Sequence, residues 1–317
     1  MPSTLAIGID VGGTAIKAGL ISDSGEIISR DGLDTLTSQG PAAIISQMAS
    51  LVGRLRAGHD VAMVGVGMPG TLDVANGVVH GAPNLPGWVE YPLANELSRH
   101  IGLPVVLEND ANCAAIGEHA CGAGSGVRHM VLLTLGTGVG GGNILDGRLW
   151  RGADGSAGEW GHVIVHSGGR RCNCGQLGCL EAYASASNTA HRAAEVVRAG
   201  RPSSLASVLR ERELNGEDVV DAARSGDRVA VEIWRETCHY LAVACINIQH
   251  SVNPNRVVLG GGMSKAGAFL LDHVNEEVEL AGSKIVGRLP DVRLATLGNQ
   301  AGFVGAALNA VKGRQEI

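Results

Sequence analysis

Three cysteines and a histidine are the residues of this 317-residue chain whose types and spacing speak most directly of chemistry. Cys172-Asn173-Cys174 and Cys179 crowd three thiols into one short loop, and His162 precedes them. Thiolate sulfur and imidazole nitrogen in a set of four suit a tetrahedral Zn²⁺, and a shell filled by protein leaves no open position, so the expected ion is structural. A cluster of buried free thiols is the competing reading, but it leaves Gly175 and Gly178 between them unexplained. Glu159 and Glu181 flank the loop, which could fix both carboxylates to bind ligand hydroxyls; solvated loop carboxylates are the plainer alternative.

Two glycine-rich turns suggest phosphate binding. Leu5–Ser22 reads as strand, turn, strand around Asp10-Val11-Gly12-Gly13-Thr14, and a second copy runs from Met130 through Gly136-Thr137-Gly138-Val139-Gly140-Gly141-Gly142. The first is no Walker A loop, because no Gly precedes Lys17 and no Ser or Thr follows it. The second satisfies G-x-G-x-x-G, yet a strand rather than the required helix follows. What remains is a pair of hairpins whose backbone N–H groups at Gly12, Gly13, Thr14, Thr137 and Gly138 could cradle a polyphosphate. Each hairpin taken alone is equally an ordinary tight turn. Asp10 would face the metal-bound phosphates. Gly260-Gly261-Gly262, after a strand and before a helix, would let the backbone approach a flat adenine closely.

Asp110 is the candidate base. It follows the apolar strand Val105-Val106-Leu107, and a hydroxyl that accepts a phosphoryl group needs a carboxylate in reach to take its proton. Capping a helix over Ala111–Ala120 is its alternative role.

The elements that must position these residues alternate. Helical patterns cover Ala42–Ala57, Leu93–Ile101, Ala182–Ala199, Asp227–His250, Ala266–Leu280 and Gln300–Val311. Strands fall at Val61–Gly67, Val105–Leu107, Arg256–Leu259 and Asp291–Leu297, with a turn-rich stretch at Met68–Trp88 and a short excursion at Pro202–Arg224. Asn253-Pro254 stops the long helix. This is an α/β pattern, and the repeated strand–turn–strand plan predicts two related lobes with a cleft between them. The expected division is a smaller lobe over 1–112, joined by a C-terminal helix at about 300–317, and a larger lobe over 113–299 containing the metal loop 161–181.

Composition narrows the ligand. At 45% hydrophobic the chain can build two cores, and a formal charge of -6 without a Lys or Arg run gives no footprint for nucleic acid or an anionic membrane. The odd total of seven cysteines, with Cys113, Cys121, Cys238 and Cys245 scattered, is no disulfide framework. A reducing compartment is expected, and with no apolar leader ahead of Leu5–Ile9 that compartment is the cytoplasm. Forty-seven glycines against nine Phe, Tyr and Trp favour a ligand held by directional hydrogen bonds, such as a sugar or a phosphate.

Together Asp10–Thr14, Glu108-Asn109-Asp110, Leu135–Gly142, Glu159-Trp160-Gly161-His162, Cys172–Glu181 and Gly260–Gly262 resemble the ROK family (repressor, open reading frame, kinase) of sugar kinases, over nearly the whole chain. The resemblance implies a two-lobe actin-like ATPase (ribonuclease H-like) fold with a cleft between the lobes and a zinc-binding loop. It implies ATP- and Mg²⁺-dependent phosphorylation of a hexose, usually on C6, with Asp110 as base, a structural Zn²⁺ on His162, Cys172, Cys174 and Cys179, and a homodimer. Sugar ligands would be Gly70, Asn84, Asn109, Asp110, Glu159, His162 and Glu181. Nucleotide ligands would be Asp10, Gly12, Gly13, Thr14, Thr137, Gly138 and Gly260–Gly262; Lys17 fits one version of the first hairpin. Family repressors carry a DNA-binding module ahead of the first hairpin, and here Asp10 is the tenth residue, so a transcription regulator is not expected. Ala82–Trp88 and Glu108–Asn112 most resemble the glucokinase branch, which makes glucose 6-phosphate; N-acetylmannosamine and N-acetylglucosamine kinases share most of these residues, and a non-catalytic sugar sensor is a further alternative.

Overall fold

The computed structural model describes residues 3–83, 85–282 and 285–313. The chain opens with the expected hairpin: β1 (Leu5–Val11) runs antiparallel to β2 (Ala15–Ser22), with Asp10 opposite Lys17. The strand β3 (Ile27–Asp34) closes one edge of the sheet, and its residues alternate between half-buried and exposed. Next, α1 (Gly40–Leu55) buries Ile44, Ile45, Met48, Leu51 and Val52, the one-sided stripe that a 3.6-residue period produces. β4 (Val61–Met68) pairs parallel to β1. The Met68–Trp88 region, read from sequence as turns, instead contains β5 (Thr71–Asp73) and β6 (Val78–Gly81), which form a small sheet with β7 (Val89–Tyr91). Strands of three or four residues are too short to establish an alternation, which is why the pattern hid them. α2 (Leu93–Ile101) stops at Gly102 in the left-handed region. β8 (Val105–Asn109) pairs parallel to β4 and leads directly into α3 (Asp110–Cys121).

The same plan then repeats. β9 (Met130–Leu135), β10 (Val139–Leu145) and β11 (Arg148–Leu149) form a second hairpin and edge. The helices α4 (Glu181–Ala184), α5 (Ala186–Arg198), α6 (Leu205–Leu209), α7 (Gly216–Arg224) and α8 (Arg228–Ser251) follow. After them come β12 (Arg256–Gly260), α9 (Ala268–Ala281), β13 (Val292–Leu294) and α10 (Ala301–Gly313). The two large sheets order their strands as β3-β2-β1-β4-β8 and β11-β10-β9-β12-β13, so each sets its hairpin strands to one side of the first strand and two later strands to the other. The helix expected over Ala182–Ala199 is broken at Ser185, whose extended backbone turns the chain and whose hydroxyl caps α5 by accepting from Asn188 N–H at 3.0 Å.

The chain divides into two compact units, one spanning 1–126, 142–157 and 299–317, the other 127–141 and 158–298. In the first, α1 and α2 cover one face of β1 and β4 through Ile7, Ile9, Val66, Met48 and Leu97. The opposite face seats α10. A Cβ on Gly8 would stand 1.7 Å from the Phe303 carbonyl oxygen and one on Gly65 1.9 Å from that of Ala306, so only glycine lets this helix lie so close. In the second unit Leu133 and Leu259 pack with Ala194, Trp234, Leu241 and Ile248. Among the described residues no helix is long and apolar enough to cross a membrane.

Candidate active site and metal centre

The two hairpin tips follow one plan with turns of different size. In the first, Gly12 N–H closes the turn on Ala15 O at 3.0 Å; in the second, Gly136 N–H closes on Gly138 O at 3.0 Å. That engages the leading glycine amide of each. The amides of Gly13 and Thr14, and of Thr137 and Gly138, meet no acceptor among the described residues, and three of these four residues are exposed while Gly138 is half-buried. Paired backbone donors of this kind make an anion-binding concavity. Thr35 braces the first tip by donating its hydroxyl to Gly12 O at 2.7 Å and its amide to Thr14 O at 2.9 Å.

Asp10, near the end of β1, lies under the first turn of α10, where a Cβ on Gly302 would come 2.6 Å from its carboxyl carbon. Its pKa is raised to about 6, first by burial and then by the negative charge of Asp110, while Lys17 across the hairpin pulls it down. The first unit therefore brings Asp10, Lys17 and Asp110 within electrostatic reach of one another. At the end of β8 the cap belongs to Asn109 rather than Asp110: its Oδ1 accepts from Ala111 N–H at 2.9 Å and Asn112 N–H at 3.1 Å. Such a cap stabilises a helix by about 1 kcal/mol. Asp110 is then the first helical residue, with one oxygen accepting from Ala111 N–H at 2.9 Å. Gly70, two residues past β4, has φ +102°, and a Cβ there would stand 2.1 Å from Gly81 O. Asn84 lies outside the described residues.

In the second unit the flanking carboxylate Glu181 reaches the hairpin. Its Oε2 accepts from Val139 N–H at 3.0 Å, and its Oε1 lies 3.6 Å from Cys172 Sγ. The chain after α4 adds a second tie, Ala186 N–H donating to Gly136 O at 2.8 Å. Gly260 ends β12 opposite Thr134 of β9, and Gly261 has φ +80° with its α-carbon against Leu135, where a Cβ would meet backbone at 2.6 Å. Gly262 opens onto a pocket of about 280 Å³. Ala186, Val220, Met263 and Ala266 give it an apolar lining, and Asn215, Glu217, Asp221, Arg224 and Lys265 a polar one. That combination suits a flat heterocycle. The sequence reading missed these lining residues, although Asn215 and Asp218 form a capping box whose spacing announces the start of α7.

His162, Cys172, Cys174 and Cys179 offer ligand atoms that all lie within 4.8 Å of one another. Cys172 Sγ is 3.8 Å from His162 Nδ1, and the Cys174 and Cys179 sulfurs are 3.6 Å apart. Sulfur and nitrogen ligands bonded tetrahedrally to one zinc stand about 3.5–3.8 Å apart, so the donor set fits that ion. Burial pushes the Cys172 thiol up to about 12 and raises that of Cys179, whereas the Gln176 amide draws exposed Cys174 down to about 7. The loop has some regular structure of its own. Trp160–His162 form a 3₁₀ turn, and bridges join Ile164 to Cys179 and Arg171 to Leu177. His166 Nδ1 meets the Tyr240 hydroxyl at 2.6 Å, and Arg170 N–H donates to the Tyr183 hydroxyl at 2.6 Å, which fastens the loop to α8 and α4. With Nδ1 facing the thiols, His162 turns Nε2 toward Glu159, 4.0 Å away and well exposed.

Comparison with known proteins agrees with this architecture. The family model described as "ROK family" matches residues 6–312. A glucokinase of Thermotoga maritima is 40% identical over 97% of this chain and 97% of its own length. An N-acetylmannosamine kinase of Shigella boydii is 33% identical over 97% and 98%. The crystal structure of a ROK family glucokinase from Streptomyces griseus in complex with glucose and AMPPNP superimposes with a TM-score of 0.84 at 36% identity, covering 98% of this chain and all of that one. The expected α/β architecture of the actin-like ATPases is therefore the one observed.

Proposed function

Because this chain belongs to the ROK family, we propose that it is an ATP-dependent hexose kinase that phosphorylates the C6 hydroxyl of glucose. The observation that carries the reading is Asp110 on the first turn of α3, beside Asp10 at a hairpin tip whose next amides are open. A carboxylate fixed by its own helix can accept the proton of an attacking hydroxyl, and the open amides can hold phosphate oxygens. In this scheme Gly13, Thr14, Thr137 and Gly138 bind phosphates, and the pocket beside Gly262 takes the adenine. Asn109, Glu159, His162, Glu181 and Gly70 bind sugar hydroxyls. Asp10 would orient Mg²⁺, which when bound neutralises charge on the transferring group. His162, Cys172, Cys174 and Cys179 would hold a structural Zn²⁺. The higher identity to a glucokinase than to an N-acetylmannosamine kinase favours glucose. The protein would act as a homodimer in the cytoplasm.

A coupled assay of ADP release across glucose, mannose, fructose, N-acetylglucosamine and N-acetylmannosamine tests this. Release that depends on sugar and is fastest with glucose is expected. A preference for an N-acetylhexosamine would reassign the substrate, sugar-independent release would indicate a nucleotide hydrolase, and no release a sugar sensor. Asp110→Asn should lower kcat about 1,000-fold while glucose binding survives; turnover near wild type would remove Asp110 as base.

A further inference from the structure

Glu108 directly precedes the Asn109-Asp110 pair, and its side chain is only 1% exposed. A buried carboxylate needs its charge matched and its lone pairs filled. Oε1 accepts from Asn109 N–H and from Asn112 Nδ2, each at 3.0 Å. Oε2 accepts from Arg151 Nε at 2.8 Å, and Nη2 of the same guanidinium lies 2.7 Å from it. Both oxygens are thus engaged within the protein, and Glu108 is held by its neighbours rather than offered to a substrate. Arg151 supplies the only opposite charge among these partners, and its Nη2 donates to Asn309 Oδ1 of α10 at 3.2 Å. Turning its amide toward Glu108 leaves the buried Asn112 Oδ1 with no partner, a sign that the carboxylate dictates the geometry here.

We infer that Arg151 and Glu108 are positioning residues for the phosphoryl transfer, locking the β8–α3 corner so that Asn109 and Asp110 keep one fixed geometry. This rests on the kinase reading of Asp110. Both residues lie within the first unit, and 43 residues separate them in the chain. Arg151 touches nothing in the proposed reaction; it acts through Glu108, whose backbone carries the next two residues. A planar guanidinium that bonds a carboxylate oxygen through Nε and a helix through Nη2 fixes a direction as well as a charge, which a lysine cannot do.

The test uses the full chain and four variants: Arg151→Lys, Arg151→Met, Glu108→Gln, and Glu108→Gln with Arg151→Met. Steady-state kinetics and thermal unfolding are measured for each. Arg151→Lys should lower kcat about 10-fold with the glucose KM within about threefold of wild type, because loss of precise placement weakens the transition state more than ground-state binding. Arg151→Met alone should also lower Tm, since it strands a buried charge. The double variant should recover most of that Tm but not kcat. If kcat in Arg151→Lys stays within twofold of wild type, or if the double variant recovers kcat along with Tm, the pair is structural only and the proposal is overturned. Failure of the wild type to release ADP with any sugar would remove the kinase reading itself, and this proposal with it.

Discussion

The two glycine hairpins share a backbone and differ in what is brought to it. Each closes on its leading glycine amide and leaves the next two amides open. The first carries its own acid: Asp10 stands on β1, with Lys17 across the strand pair and Asp110 close by. The second has no ionisable residue between Met130 and Leu145, and its carboxylate, Glu181, is delivered from the far end of the cysteine loop to accept from Val139 N–H. One scaffold, used twice, thus carries a carboxylate of its own in one hairpin and receives one from the end of the cysteine loop in the other.

Between the two hairpins, the larger effect is expected at the built-in acid. Asp10→Asn should lower kcat about 100-fold, the scale on which a fixed charge at a phosphoryl-transfer site counts. In the metal-free protein the same change should stabilise. A carboxyl whose folded pKa is near 6 rather than 3.8 holds its proton more tightly in the folded chain, so its contribution is most favourable below pH 3.8 and declines as pH rises to about 6. At pH 8 Asp10→Asn should therefore melt about 2–5 °C above wild type, and the difference should vanish in acid below that window. Scanning calorimetry across pH decides it; a variant less stable than wild type at pH 8 would contradict the raised pKa.

How much of this was legible beforehand follows the same division. The hairpins, the helix stripes and the Cys172/Cys174/Cys179 loop were plain in the sequence, because each is a local pattern of spacing or type. The order of strands, the contact of Glu181 with Val139 and the pairing of Glu108 with Arg151 were not. Partners more than forty residues apart leave no periodic trace in a single chain. Assigning the helix cap to Asp110 as an alternative role overlooked that Asn109 is itself a strong cap one position earlier.

The delivered acid predicts a middle-sized effect. If the proposed zinc site is right, Cys174→Ala should lower the metal content, measured by atomic emission, and raise the glucose KM about 10-fold, the usual scale for disturbing groups that orient a site. Because Glu181 lies between Cys172 and Val139, the ATP KM should rise as well, by about two- to threefold. Unchanged metal content with unchanged glucose KM would break the link between loop and hairpin. The smallest effect belongs to Gly138→Ala, whose new Cβ would stand 2.4 Å from Glu181 Oε2. A flexible side chain can give way, so KM for both substrates should rise only about threefold, with kcat little changed. A rise in one KM alone would show that Glu181 serves a single ligand.

The seating of α10 on Gly8 and Gly65 bears on how the chain is made. Those glycines belong to strands near the start of the sequence, while the helix that lies on them is Ala301–Gly313. As the polypeptide leaves the ribosome, all the residues of the second unit emerge before the first sheet receives the cover for that face. The strands β1 and β4 thus receive this helix only after the whole of the second unit has been synthesised.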